Sequence, residues 1–228
     1  MKVLITGCKS GLGAYFARKL PECDSFTRST PLDRFYGTHY DLIIHCAVNL
    51  THYRWDSDIP FGFFDDNIFL TQRLLGLDFG KFVYISSIDH AKGTPYGAAK
   101  RISEVLVRES AGDHLIVRPS GMLGAGMKEN TFQKILQGKP IALTADSVMN
   151  YVLYDDVLEL VTSGASGTIP VVASENITMA GVCEALGRDV EFGSFKFDIS
   201  IEDGAEQGTH TSRENIIRYL NQHHERTD

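Results

Sequence analysis

The segment that most narrows what this chain can fold into is Thr6-Gly7-Cys8-Lys9-Ser10-Gly11-Leu12-Gly13, set directly after the apolar triplet Val3-Leu4-Ile5. An apolar run without alternation predicts a parallel strand, Lys2 to Thr6, covered by helices on both faces. Phe16, Ala17 and Leu20 fall at helical spacing, so a helix from Ala14 to Leu20 leaves the turn and ends at Pro21. Strand, glycine turn and helix in that order build an anion site. Residues without side chains permit a tight turn and close backbone approach, and the helix N-terminus offers unpaired N–H groups and the positive end of its dipole. Gly7, Gly11 and Gly13, with Lys9, Ser10 and Leu12 between them, are therefore candidates to cradle the pyrophosphate of a dinucleotide.

The same alternation runs down most of the chain. Asp41 to Ala47 and Lys81 to Ser87 are buried strands by composition, with a helix from about Asp65 to Leu77 between them. A helix from Ala98 to Glu109, a strand His114 to Arg118, a helix Val157 to Ser163 and a strand Thr168 to Ala173 follow. Strands alternating with helices predict an α/β fold, a Rossmann-type doubly wound parallel sheet, over residues 1–174, with 119–156 partly on the substrate side. Residues 175–228 form a small C-terminal substrate-binding segment: a helix Thr178 to Leu186, a strand around Val190 to Phe197, and an amphipathic helix from Arg213 to about His223.

Charge and cysteine usage prune the partners. With 22 Lys+Arg against 29 Asp+Glu the net charge is −7, which gives no counterion-release drive toward nucleic acid and favours small molecules. Cys8, Cys23, Cys46 and Cys183 are scattered without metal-ligand spacing, so no metal site is expected, and Cys8 is best read as a small packing residue. The N-terminal apolar run breaks at Gly7, too soon for a signal-peptide core or a membrane span, so a cytoplasmic protein with reduced thiols is expected. An acidic chain that binds polyanions needs placed cations. Lys9, Arg28, Lys100, Arg118 and Lys128 are the candidates.

Cofactor choice is set at the end of the second strand. With Ser25-Phe26-Thr27 as that strand, Arg28 falls about 20 residues past Gly7, where an acidic residue would select a ribose diol. A guanidinium followed by Ser29 suits a 2′-phosphate and predicts NADP(H), with NAD as the alternative; a slip in strand register would bring Asp24 forward and reverse the preference. Further on, Tyr96-Gly97-Ala98-Ala99-Lys100 follows Pro95 and opens a helix, placing Tyr96 and Lys100 on one face. A lysine cation beside a phenol stabilises the phenolate and fits it for acid–base work.

With these segments in order, joined by Asn67-Ile68-Phe69-Leu70-Thr71, Ile116-Val117-Arg118-Pro119 and Tyr151-Val152-Leu153-Tyr154-Asp155-Asp156-Val157, the sequence resembles the short-chain dehydrogenase/reductase superfamily, specifically its extended epimerase/dehydratase branch acting on nucleotide sugars. The resemblance implies that Tyr96 gives or takes the proton, that Lys100 holds the cofactor ribose and tunes Tyr96, and that Ser87, or failing it Ser86, holds the reacting oxygen. It implies that His45, Cys46 and Ala47 line the cofactor and that Pro119 flanks the nicotinamide. It also implies a homodimer through the helices Asp65 to Leu77 and Ala98 to Glu109.

Two of the chain's departures from that pattern bear on its function. The stretch Arg28 to Asp41 is too short for a full third strand and crossover helix, which trims the adenine side. The pair after Ser87 reads Ile88-Asp89 where dehydratases of the branch carry an acid–base pair, which points to net reduction of a keto group, as in a 4-keto-6-deoxysugar reductase. An NAD-dependent epimerase or dehydratase is the alternative, and a non-catalytic dinucleotide-binding redox sensor the second. Candidate substrate contacts are Trp55, Asp89, His90, Lys128 and Tyr151, each of which is also an ordinary loop or packing residue.

Overall fold

The computed structural model describes residues 1–50, 59–201 and 208–224. Its centre is a six-stranded, all-parallel sheet in the order β2 (Cys23–Phe26), β1 (Val3–Thr6), β3 (His39–His45), β4 (Asp78–Ile85), β5 (His114–Pro119) and β10 (Gly167–Val171). The sheet order turns back between β1 and β3, so the carboxyl ends of those strands open a crevice, the position where doubly wound folds bind ligands.

Period-two alternation explains the continuous apolar runs. Val3 and Ile5, Leu42 and Ile44, Val83 and Ile85, and Leu115 and Val117 all point to one face, where α1 (Gly11–Lys19) and α6 (Tyr154–Thr162) cover them. Leu4, Ile43, Phe82, Tyr84 and Ile116 point to the other, under α3 (Leu70–Leu74) and α4 (Pro95–Ser110). The first core continues into Phe132 of α5 (Thr131–Leu136), Val182 of α7 (Met179–Leu186) and Ile216 of α8 (Ser212–His224), so the C-terminal residues pack directly on the covered sheet.

Short strand pairs hold that C-terminal layer: β6 (Gly121–Leu123) with β9 (Tyr151–Leu153), β7 (Ile141–Leu143) with β12 (Phe192–Phe195), and β8 (Val148–Met149) with β11 (Ile177–Thr178). Between β2 and β3 the chain makes only a 3₁₀ turn, Leu32–Phe35, whose Phe35 ring packs on Phe26 and Tyr40 at 5.9 and 6.4 Å. No strand among the described residues lies beyond β2, the trimmed edge that the short spacing predicts.

One helix departs from its expected form. In place of a regular helix from Asp65 there is α2 (Phe61–Phe64), a π-helical stretch Asp65–Phe69, then α3. The widened turn lets Asn67 clasp the backbone of Asn49 in both directions, accepting from its N–H at 2.9 Å and donating to its carbonyl at 3.0 Å. Side-chain bonds to a distant loop hold this turn, and helical periodicity alone carries no trace of them.

Candidate active site

The glycine turn leaves β1 with Gly7 at φ +75° and Gly11 at φ +59°, both in the left-handed region that glycine tolerates. A Cβ on Gly7 would stand 2.9 Å from the Ala47 nitrogen, and one on Gly13 would stand 2.6 Å from the Gly7 carbonyl oxygen. Backbone therefore packs on backbone, and the α1 N-terminus faces the crevice. Two adjoining hollows form a single cleft there. The outer one, about 270 Å³, is lined by Gly7, Cys8, Lys9, Thr27, Arg28 and Asp66 among others; the inner, about 330 Å³, by Gly11, Leu12, Gly13, Cys46, Tyr96 and Lys100 among others. Gly7, Ser10, Val48 and Lys128 line both. A crevice of this length, floored by unsubstituted backbone and a helix N-terminus, fits a dinucleotide.

At the inner end, Thr94 caps α4 by accepting from the Gly97 N–H at 3.0 Å, Pro95 opens the helix, and Tyr96 and Lys100 follow on one face. The Ser87 side chain hydrogen-bonds the Tyr96 phenol, and its Oγ also accepts from the Asp89 N–H at 3.1 Å. Burial raises the Tyr96 phenol well above its ordinary value; the bond to Ser87 lowers it and the Asp89 charge raises it further. The phenol is thus protonated at neutral pH, with Lys100 on the same helical face beside it. Lys100 is 5% exposed, donates from Nζ to the Ile85 carbonyl at 2.7 Å, and lies 5.7 Å from the centre of the Tyr96 ring. Burial pushes its ammonium down to about 8, against the opposing pull of Cys46 and Glu104.

Ser86 and Ser87 differ in their partners. Ser86 Oγ donates to Glu104 Oε1 at 2.5 Å, and Glu104 also takes Arg118 in a two-pronged pair at 3.0 and 2.6 Å. Ser86 lines the inner hollow with its hydroxyl proton given to a buried carboxylate, and the Arg118 guanidinium is committed to the same carboxylate, which removes Arg118 as a cation for a bound anion. His45 is corrected too. It is 1% exposed, bonded through Nδ1 to Thr6 Oγ1 at 2.7 Å and through Nε2 to Thr71 Oγ1 at 3.0 Å, and burial with the Lys100 charge pushes it down to about 3. It is a neutral histidine tying β1 to α3, while Cys46 and Ala47 are the residues of that segment on the cleft. Pro119 is buried where β5 pairs with β10 and does not line the cleft; Met122 does.

The sequence profile of the NAD dependent epimerase/dehydratase family matches residues 14–163, about two thirds of the chain. The chain belongs to that family. It is accordingly an enzyme of the nicotinamide-dinucleotide-dependent short-chain dehydrogenase/reductase kind. Solved structures share its fold at low identity. MoeE5 in complex with UDP-glucose and NAD has a TM-score of 0.75 at 15% identity, covering 98% of this chain and 99% of that one. UDP-glucuronic acid 4-epimerase from Bacillus cereus, with UDP-glucuronic acid and NAD, scores 0.72 at 16% over 97% and 99%. The dTDP-4-dehydrorhamnose reductase from Bacillus anthracis, in complex with NADP, scores 0.74 at 16% over 97% and 99%. No curated protein matches.

In this member of the epimerase/dehydratase family the remaining candidates scatter. Arg28 lines the outer hollow, three-quarters exposed, and is paired with Asp66; Thr27 lines it as well, while exposed Ser29 bonds Thr27 Oγ1 at 3.0 Å. Asp89 forms an ion pair with Lys92 at 2.7 Å, and buried His90 places Nδ1 3.0 Å from the Ser87 carbonyl oxygen. Tyr151 is a core residue rather than a substrate contact: its ring packs on Phe132 at 5.6 Å, and its backbone is held by Ser212 and Asn215. Trp55 lies outside the described residues. Sequence reasoning missed Asp66, Asn130 and Tyr154 on the cleft. No helix among the described residues is long and apolar enough to cross a membrane.

Proposed function

We propose that this enzyme is an NADP(H)-dependent oxidoreductase that reduces a keto group of a nucleotide-linked sugar, in the manner of a 4-keto-6-deoxysugar reductase. The observation that carries this is the position of Tyr96 and Lys100 on the inner wall of the cleft that begins at the glycine turn, with Ser87 bonded to the Tyr96 phenol. The nicotinamide, when bound, supplies the hydride. Tyr96, protonated at neutral pH, gives the proton to the carbonyl oxygen. Ser87 orients the same oxygen, and Lys100 holds the ribose while carrying positive charge beside Tyr96. Gly7, Lys9, Ser10, Gly11, Leu12, Gly13, Cys46 and Ala47 hold the dinucleotide.

The nucleotide-sugar class rests on the family and on relatives of this fold whose complexes hold UDP-glucose and NAD, or NADP. Dehydration is disfavoured because Ile88 stands where an acid–base group would, and Asp89 is occupied by Lys92. A second reading, an NAD-dependent epimerase, is favoured by one observation: Asp66 already neutralises Arg28, the cation a 2′-phosphate would use. Exposed Phe69 on the π-helical stretch and Ile102 and Val105 on α4 support a homodimer through these helices, and the whole is expected to act in the cytoplasm.

The test is Tyr96→Phe assayed with NADPH and a nucleoside-diphosphate 4-keto-6-deoxysugar. Turnover is expected to fall by about 100-fold or more while NADPH binding stays within about twofold. A variant that binds NADPH and reduces the sugar at the wild-type rate overturns the assignment. Transfer of label between sugar C4 epimers without net NADPH oxidation would instead establish the epimerase.

A further inference from the structure

The glycine turn of this chain has given away one of its anion-binding donors. The Gly11 N–H, at the head of α1, donates to the Gly126 carbonyl at 3.0 Å, and so is engaged by the loop that follows β6. Beside it stands a hydroxyl that nothing else uses. Tyr154, the first residue of α6, is 5% exposed, and its phenol oxygen lies 3.4 Å from where a Cβ on Gly11 would sit. Among the described residues that hydroxyl has no hydrogen-bond partner, and it lines the inner hollow with Gly7, Ser10 and Gly13.

The ring is held hard in this pose. A Cβ on Gly124 would stand 2.0 Å from its Cδ2, so the absence of a side chain there makes the ring's seat, and Tyr15 packs on it at 5.5 Å. Burial raises the phenol to about 12, so the hydroxyl keeps its proton and can donate. The loop anchored by Gly126 also brings exposed Lys128 to the junction of the two hollows. The sequence suggests Lys128 for a substrate phosphate, but its place beside Gly7 and Ser10 is where the diphosphate of a dinucleotide passes.

We propose that Tyr154 donates its hydroxyl to the diphosphate of the bound dinucleotide, in place of the Gly11 N–H that the chain has turned to Gly126, and that Lys128 supplies the neutralising charge. The assignment rests on the dinucleotide cleft proposed above and adds two residues to it. Ammonium and phenol together restore the charge-assisted donors that a diphosphate requires.

The experiment titrates the full chain with ADP-ribose, which carries the diphosphate without the nicotinamide, at low and high salt. Tyr154→Phe keeps the ring and loses the hydroxyl; about tenfold weaker binding is expected, with the salt dependence retained. Lys128→Gln is expected to weaken binding several-fold and to flatten the salt dependence. Wild-type affinity in a folded Tyr154→Phe variant overturns the proposal. Should that variant fail to fold, the exposed Lys128 decides: an unchanged affinity and salt slope in Lys128→Gln overturns the proposal, and the expected loss supports it. A wild type that binds neither ADP-ribose nor NAD(P)H overturns the dinucleotide cleft itself, an outcome distinct from either variant result.

Discussion

Arg28 grips Asp66 across the outer half of the cleft with two hydrogen bonds, Nη2 to Oδ2 at 2.6 Å and Nε to Oδ1 at 3.2 Å. Asp66 comes from the π-helical stretch and also accepts from Asn49 Nδ2 at 2.8 Å, so the carboxylate is the fixed partner and the guanidinium the movable one. An exposed pair of this kind is worth only about 0.2–1 kcal/mol, which a doubly charged phosphate can outbid. The two side chains therefore set cofactor preference against each other. Asp66→Asn is expected to raise the preference for NADPH over NADH several-fold, and Arg28→Ala to lower it. Titration of each variant with both cofactors checks this; an unchanged ratio in both variants removes the pair from cofactor choice.

Lys100 predicts opposite pH responses of rate and stability. Its ammonium, pushed down to about 8 by burial, sheds its proton above that pH, and reduction should decline with it. An unfolded lysine holds its proton to about pH 10.4, so between about 8 and 10.4 the unfolded chain binds more protons and this group's contribution to stability rises with pH. Rate falls where the Lys100 contribution to stability grows, which separates the effect from alkaline denaturation. A pH–rate profile alongside denaturant midpoints tests it, and Lys100→Arg should carry any residual activity to higher pH because a guanidinium keeps its charge.

His45 makes the converse prediction on the acid side. Folded, it titrates near 3; unfolded, near 6.5, so from about pH 6.5 downward the unfolded chain takes up a proton that the native chain refuses. Its contribution to stability is complete above about 6.5 and is lost as pH falls toward 3, with a slope up to about 1.4 kcal/mol per pH unit. His45→Gln should be less stable at pH 7, because Thr6 and Thr71 lose a well-placed partner, yet show a shallower acid slope. An identical slope in the variant would sink this account.

What the sequence shows and what it hides divide by range. The strands were legible because both faces of a parallel sheet are buried, and the turn because Gly13 answers to Thr6 and Gly7 within one βα unit, although Gly7 itself is pressed by Cys46 and Ala47 from the end of β3. Tyr96 and Lys100 were legible as a helical pair. The rest depends on partners far along the chain. His45 looks like a cofactor contact until Thr71, 26 residues on, claims its Nε2. Arg118 looks like a free cation until Glu104 is found under it, and Tyr154 is one residue of a family-like segment until Gly11 and Gly124 are seen to make room for it. Side-chain type is local information, whereas occupancy of its hydrogen bonds is not.

Gly97 joins the catalytic residues for a reason the Tyr-to-Lys spacing does not reveal. A Cβ there would stand 2.3 Å from the Lys92 carbonyl oxygen and 2.8 Å from that of Asp89, both backbone of the turn that begins at Ser87. The first turn of α4 thus lies directly on the 3₁₀ turn Ile88–Ala91, and that contact holds Ser87 against the Tyr96 phenol. Backbone cannot swing aside as a side chain can, so Gly97→Ala must push the two turns apart. We expect it to cost about 1–3 kcal/mol of stability and to lower turnover at least tenfold by opening the Ser87–Tyr96 bond, with cofactor affinity much less affected. Gly112→Ala, where a Cβ meets nothing within 4 Å, should change stability by no more than about 0.5 kcal/mol. Denaturant midpoints and steady-state rates for the pair decide the matter: if Gly97→Ala behaves like Gly112→Ala, the close approach of the two turns does not position Ser87.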